Sequence, residues 1–262
     1  AMARAVTIDD VRRFHTDFYG AGAGELTVVG DFDAAQTKAL VAELMGSWAP
    51  KTRYVRIPQP YTAVAPRTES ITTPDKANAF FLAGLNVPMR DDAADYPAVV
   101  LANYMLGGGF LNSRLATRIR QKDGISYGVG SQFTASAFDS TGSMMAMAIY
   151  APENVDRLER AMREEFLRAV RDGFTADEVN QAKAGWLQSR QVSRAQDAQL
   201  AGTLGQRNFQ GRTLAWDASL EAKVAALTPE QVSEAFRRVI DPTKLVIVKA
   251  GDWSKKPQGA VP

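Results

Sequence analysis

The chain contains no cysteine. That excludes a disulfide framework, a thiolate metal site and a cysteine nucleophile. Histidine is almost as scarce: His15 stands alone, and a histidine-based zinc site needs two or three convergent ligands. A serine triad would need His15 as its base, and no nucleophile-elbow sequence accompanies it. His15 therefore reads as a structural histidine, at the surface or partly buried, in the first predicted helix. No apolar run approaches the roughly 18 residues of a membrane span. The opening AMARAVTIDD lacks the apolar core of a signal peptide, and Ala1-Met2 reads as an added start. An excess of one charge is also missing. Thirty-one basic against 29 acidic residues leave +2, which gives no electrostatic argument for a nucleic acid or an anionic membrane. The compartment stays open, cytoplasmic or periplasmic.

What is present is the composition of an ordinary globular protein, 262 residues long and 45% hydrophobic. There is room for one large domain or two small ones. Its organisation is more informative. Residues 6–33 and 227–253 align at one constant offset of 221 positions. Thr7 meets Thr228, Asp9 meets Glu230, Val11 meets Val232, and Gly30-Asp31 meets Gly251-Asp252. Each segment reads as a capped helix, a polar turn, a hydrophobic strand and Gly-Asp. Thr228-Pro229-Glu230-Gln231 carries the start signals of a helix: a capping threonine, a first-turn proline and a glutamine at the capping-box position. The unbroken offset favours a duplication. Residues 1–50 are then the C-terminal tail of a first homologous domain, 75–253 a second, metal-free domain and 254–262 a tail, and the natural chain extends upstream of Ala1. Residues 51–74, with Pro58, Pro60, Pro66 and Pro74, read as a proline-rich extended linker.

The second copy predicts strands at 78–85, 125–135, 141–150 and 245–250. Helices are predicted at 93–106, 113–121, 152–171, 175–207 (split near Gly202–Gly205), 214–226 and 229–240. Strands and long helices come in separate runs. The fold class is α+β, a largely antiparallel sheet with helices packed on one face.

Several chemistry-bearing features have plain readings. Gly107-Gly108-Gly109 is followed by no lysine of the phosphate-loop pattern and preceded by no strand, so it reads as a helix end and loop. Arg114 and Arg118 share a helix face, and basic residues suit a helix C-terminus. Asp91-Asp92 and Glu164-Glu165 read as surface carboxylates, and Met144, Met145 and Met147 as core or sheet-face fillers. Lys122-Asp123-Gly124 reads as a helix end and turn with Gly124 left-handed. This puts Arg120 in the last helical turn and Tyr127 in the strand that follows, so that both tips can converge.

Residues 106–130, LGGGFLNSRLATRIRQKDGISYGVG, resemble the non-catalytic half of the pitrilysin, insulinase and mitochondrial processing peptidase family of zinc peptidases, in the bacterial two-domain form. The matching pieces are Leu106-Gly107-Gly108-Gly109, Ser113-Arg114-Leu115, and Arg120 with Tyr127 seven positions on. VTIDDV…VVGDFD, TADEVNQAK and LTPEQV…IVKAGDW extend the likeness over nearly the whole chain. The resemblance implies a processing-peptidase-like α+β domain, one of two that enclose a peptide substrate. The other carries an inverted His-x-x-Glu-His zinc motif, which is absent from this chain. It implies Tyr127 and Arg120 as catalytic and substrate-binding residues, Tyr127 bonding the tetrahedral intermediate and Arg120 the substrate backbone, with Gly107, Gly108 and Gly109 beside them. It also implies zinc in the full-length enzyme or a partner subunit and none in this fragment, and a homo- or heterodimer. Three readings stay open: a zinc peptidase with its metal half upstream, a non-catalytic subunit completing another protein's site, and a structural or interaction protein.

Overall fold

The computed structural model describes residues 5–255. The Ala1-Met2 start and residues 256–262 of the predicted tail lie outside the described residues. Two compact units emerge, residues 59–190 with 217–255 and residues 5–58 with 191–216.

The first of these is built on five strands: β1 (Arg67–Thr72), β2 (Ala79–Val87), β3 (Gly128–Ala135), β4 (Gly142–Tyr150) and β5 (Val246–Gly251). Their order is β1-β5-β2-β4-β3. The β5–β2, β2–β4 and β4–β3 pairs are antiparallel, and only β1–β5 is parallel. The sheet is thus largely antiparallel, as the separate runs of strand and helix imply. Alternation decides its two faces. In β2, Ala79, Phe81, Ala83, Leu85 and Val87 are buried while Phe80 and Asn86 are exposed. In register with them, Met144, Ala146 and Ala148 of β4 are buried and Met147 and Ile149 exposed.

The buried face meets the apolar stripes of α3 (Tyr96–Asn103), α4 (Val155–Asp172) and α8 (Pro229–Val239). Leu101, Leu158, Phe166 and Phe236 fill that core with Phe81, Met144 and Ile247. Residues 67–72, within the segment read as linker, form the edge strand β1. They fall between Pro66 and Pro74, and β-branched Thr68, Ile71 and Thr72 suit a strand.

The second unit holds α1 (Ile8–Phe18), α2 (Ala34–Met45) and α6 (Asp197–Phe209). The chain breaks between α5 (Ala176–Arg194) and α6 at residues 195–196, with Gln196 extended, and not at Gly202–Gly205. Glycine within a helix costs about 1 kcal/mol, which neighbouring turns absorb. Asp197 in the first turn favours a new start.

The internal repeat has a structural counterpart. α1 and α8 keep the same offset of 221 at both ends, and both start with a capping box, Thr7 with Asp10 and Thr228 with Gln231. Short 3-10 turns follow at Ala21–Ala23 and Pro242–Lys244, again at that offset. The burial differs. α8 buries Val232, Ala235 and Phe236, whereas α1 buries nothing and leaves Val11, Phe14 and Phe18 exposed. Residues 25–30, the counterpart of β5, form no strand.

Candidate active site

α3 runs on into a π-helical turn, Tyr104–Gly108, and a second π-helical segment spans Ala116–Lys122. Such wide turns are rare and recur at functional sites. Between them lies the Gly-rich turn. Gly107 is buried, and a Cβ there would stand 2.5 Å from the backbone nitrogen of Ser131. Its lack of a side chain lets the helix end touch β3. Gly108 is exposed and Gly109 half-buried. Ser113, with extended backbone, caps the helical segment that follows. It is fully buried, donating to the Phe110 carbonyl at 2.7 Å and accepting from the Ala116 N–H at 3.3 Å.

Leu115, Ala116 and Ile119 anchor the second π-segment in the core, which leaves Arg120 half-buried on its last turn. Gly124 takes the left-handed conformation, φ +62°, that reverses the chain. Tyr127 sits immediately before β3 rather than within it. Its side chain is 75% exposed. The structure brings the two together through the backbone: Arg120 Nη1 donates to the Tyr127 carbonyl at 3.3 Å. Ser126, which sequence reasoning passed over, pins the same peptide. Its hydroxyl donates to the Ile149 carbonyl at 2.6 Å and accepts from the Gly128 N–H at 3.1 Å. Tyr127 thus lies between two anchored neighbours with a phenol facing solvent.

The outer face of the sheet has an apolar centre. Phe80, Met147, Ile149 and Ile71 are exposed on it. At the Ser143 end of β4 a groove of about 730 Å³ runs between the sheet and the segment at 61–66. Its walls include Tyr61, Val64, Pro66, Leu82, Met145 and Val248, and Lys244 is the one charged residue lining it. Asn86 fastens the segment through a hydrogen bond to the Thr62 carbonyl. Gly128 pairs with Ile149, four residues along β4 from Met145. The Arg120–Tyr127 corner and the groove are therefore about 13 Å apart along the strand, four residues of extended peptide.

Arg114, six positions before Arg120, ties its segment to the start of α5. Its guanidinium forks onto Glu178 at 2.7 and 2.9 Å, bonds the Gly173 carbonyl at 2.7 Å and stacks on Phe174. Burial works against a charged Glu178, but the Arg114 fork and the Thr175 N–H outweigh it and hold the carboxyl at about 2. The carboxylates read as surface pairs divide instead: Asp91 and Glu165 are buried, Asp92 and Glu164 exposed. Glu165 follows Leu158 and Met162 on the buried stripe of α4, a spacing that places it inward.

No metal site forms among the described residues: no group of three or more histidine, aspartate or glutamate side chains comes together. His15 is exposed and stacks between Tyr19 and Trp48. The residues present do not fit zinc.

Residues 5–185 match the family described as the peptidase M16 inactive domain. The chain belongs to this family. It is 30% identical over 251 residues to an uncharacterized zinc protease of Streptomyces coelicolor, a match covering 90% of this chain and 52% of that protein. A solved M16 inactive domain from Pseudomonas fluorescens superposes with a TM-score of 0.76 at 26% identity, covering 94% of this chain and 57% of that one. A Helicobacter pylori protease shares the fold, with a TM-score of 0.75 at 16% identity over 94% of this chain and 60% of that one. This M16 domain spans about half the length of these relatives. The family is a zinc protease family and the matching domain its inactive one. No helix among the described residues is long and apolar enough to cross a membrane.

Proposed function

We propose that this M16 domain is the substrate-binding and transition-state-stabilising half of a zinc-dependent peptidase. The metal is held by a zinc-bearing N-terminal domain or partner subunit, and this chain alone is inactive. One observation carries the reading: Arg120 grips the carbonyl of Tyr127 while the phenol stays exposed.

Peptide hydrolysis places negative charge on the carbonyl oxygen of the scissile bond. The Tyr127 hydroxyl donates to that oxygen. A donor positioned beforehand stabilises developing charge without reorganising at the moment of reaction. The Arg120 fork, with one N–H spent on Tyr127, turns the rest toward a substrate backbone carbonyl. Gly108 offers exposed backbone at the adjoining turn, with Gly107 and Gly109 shaping it. An extended peptide along β4 reaches from this corner to the apolar groove.

The same reading takes residues 1–50 as the tail of a first homologous domain and 75–253 as the second, joined by 51–74. The matching offsets of α1 with α8 and of their 3-10 turns support it.

Tyr127→Phe in the complete zinc-bearing protein tests the role of the phenol. The expected outcome is a fall in kcat of about 10²-fold with KM nearly unchanged, because the lost contact forms only in the transition state. An unchanged kcat removes Tyr127 from the mechanism.

A further inference from the structure

Gly84 stands inside β2, with Val246 of β5 and Met145 of β4 in register on either side. A glycine inside a strand weakens it, through extra backbone entropy and the lack of a side chain to pack. A left-handed conformation does not account for this one, because Gly84 is not among the positive-φ glycines. Crowding does not account for it either: a Cβ added at Gly84 would meet nothing within 4 Å. The chain's own packing therefore does not require the glycine.

Its effect is to lower the floor of the apolar groove. Gly84 alternates with buried Ala83 and Leu85, so it faces outward, and it lines the groove of about 730 Å³. Leu82, Met145 and Val246 surround it on the same face and line the groove with it. The result is a dip between apolar side chains, with the segment at 61–66 as a side wall that Asn86 holds in place. A strand glycine so placed marks where another molecule approaches closely. A cleft of this volume suits a small ligand or a few peptide residues, whereas a folded partner needs a far broader face.

Charge at one end narrows the choice. A neighbouring cleft of about 450 Å³ shares Tyr61 and Lys244 with the groove and adds Arg237, Arg238 and Asp241. Arg238 is matched by Asp95 at 2.7 Å, and Lys244 lies 3.6 Å from Asp241. Arg237 is exposed and bonds two uncharged groups, the carbonyls of Val170 at 2.9 Å and Arg171 at 3.5 Å. That end is left with one positive charge in excess, while the rest of the groove lining carries none. Lys244 precedes Val246 by two residues, which sets it about 7 Å along the chain from the row that holds Gly84.

We propose that the groove binds an extended peptide with a large apolar side chain over Gly84 and an acidic side chain two positions away, against Lys244 and Arg237. Side chains two apart in an extended peptide share a face and lie about 7 Å from one another, which is the spacing available. The proposal rests on the substrate-binding reading of this domain and deepens it by naming the class of peptide.

Titration of this chain with acetyl-Glu-Ala-Phe-Ala-Glu-amide, followed by NMR shifts, tests the site. An acidic residue on each side of the Phe covers both chain directions. Saturable binding is expected in about the millimolar range. The peptide with Ala for Phe binds at least about tenfold more weakly, and the peptide with Gln for both Glu about threefold more weakly. Gly84→Val fills the dip and weakens the Phe peptide by about tenfold or more. Valine suits a strand, so the thermal midpoint of that variant stays level or rises. Lys244→Gln weakens the Glu peptide about threefold and leaves the Gln peptide unmoved. The proposal is overturned by absence of saturable binding, by equal affinity for the Phe and Ala peptides or for the Glu and Gln peptides, or by unchanged affinity in Gly84→Val. A Gly84→Val midpoint well below wild type also overturns it, because the glycine then serves the fold. The peptide comparisons use the wild-type chain and hold whatever the variants do. All of these are binding readouts, which Tyr127→Phe leaves unchanged, so a catalytic role that fails for Tyr127 is told apart from a groove that fails to bind.

Discussion

Arg120 and Tyr127 meet through a guanidinium-to-carbonyl hydrogen bond of 3.3 Å, not through their side-chain tips. The arginine holds the tyrosine's backbone, and Ser126 holds the preceding residue to β4. The backbone that carries the phenol is thereby fixed, while the side chain stays exposed. Loss of Arg120 should misplace Tyr127 as well as remove a positive charge, so the two residues are expected to act as a unit.

The Arg114–Glu178 pair gives the fold a pH-dependent contribution to stability. The Glu178 carboxyl is held at about 2 against an ordinary value of 4.5. A depressed carboxylate contributes stability that is fully present above its unfolded value and lost as pH falls toward the folded one. Glu178→Gln should cost about 2 kcal/mol at neutral pH, a figure reduced for partial solvent exposure. The difference in thermal midpoint between wild type and variant should shrink between pH 4.5 and 2. A difference that stays constant across that window would show that the pair does not titrate with folding.

The open sheet face makes a prediction that separates binding from stability. Met147 is exposed there, so Met147→Gln should alter unfolding free energy by no more than about 0.5 kcal/mol. If a peptide follows β4 as proposed, the same change in the full-length protein raises KM severalfold through lost apolar contact. A stability loss well beyond that, with KM unmoved, would mark Met147 as a core residue.

Residues 25–30 should behave differently with and without a first homologous domain. Their counterpart β5 is paired on both sides, by β1 and β2, and its amides should exchange slowly. In the full-length protein the amides of 25–30 should be protected to a similar degree, and in this chain alone they should exchange fast. Fast exchange in both would contradict the assignment of 1–50 to a separate domain.

Much of this was legible in the residues. The 221-position repeat foretold matching starts for α1 and α8, because a capping threonine and, in α8, a first-turn proline are local signals. Gly124 and the helix-to-turn position of Arg120 were legible for the same reason. Strand β1 was hidden because the flanking prolines dominated the pattern, and its parallel pairing to β5 joins residues far apart in sequence. The break at 195–196 carries no glycine or proline to announce it. Glu165 was misread because adjacent glutamates look like a solvated pair, although its spacing from Leu158 and Met162 placed it on the buried stripe. The π-helical turn at Tyr104–Gly108 ends where Gly107 meets Ser131 of β3, a contact that no local motif encodes. The Arg120–Tyr127 spacing was legible, but the contact through a carbonyl was not.

The most direct test of the central claim is a double-mutant cycle on kcat/KM in the complete zinc-bearing protein, with Arg120→Ala, Tyr127→Phe and the pair together. If the two residues form one transition-state-stabilising unit, each single change costs about 10²-fold or more and the double change costs little beyond the larger single effect. Singles that leave kcat/KM unchanged, or costs that simply multiply in the double variant, would contradict it.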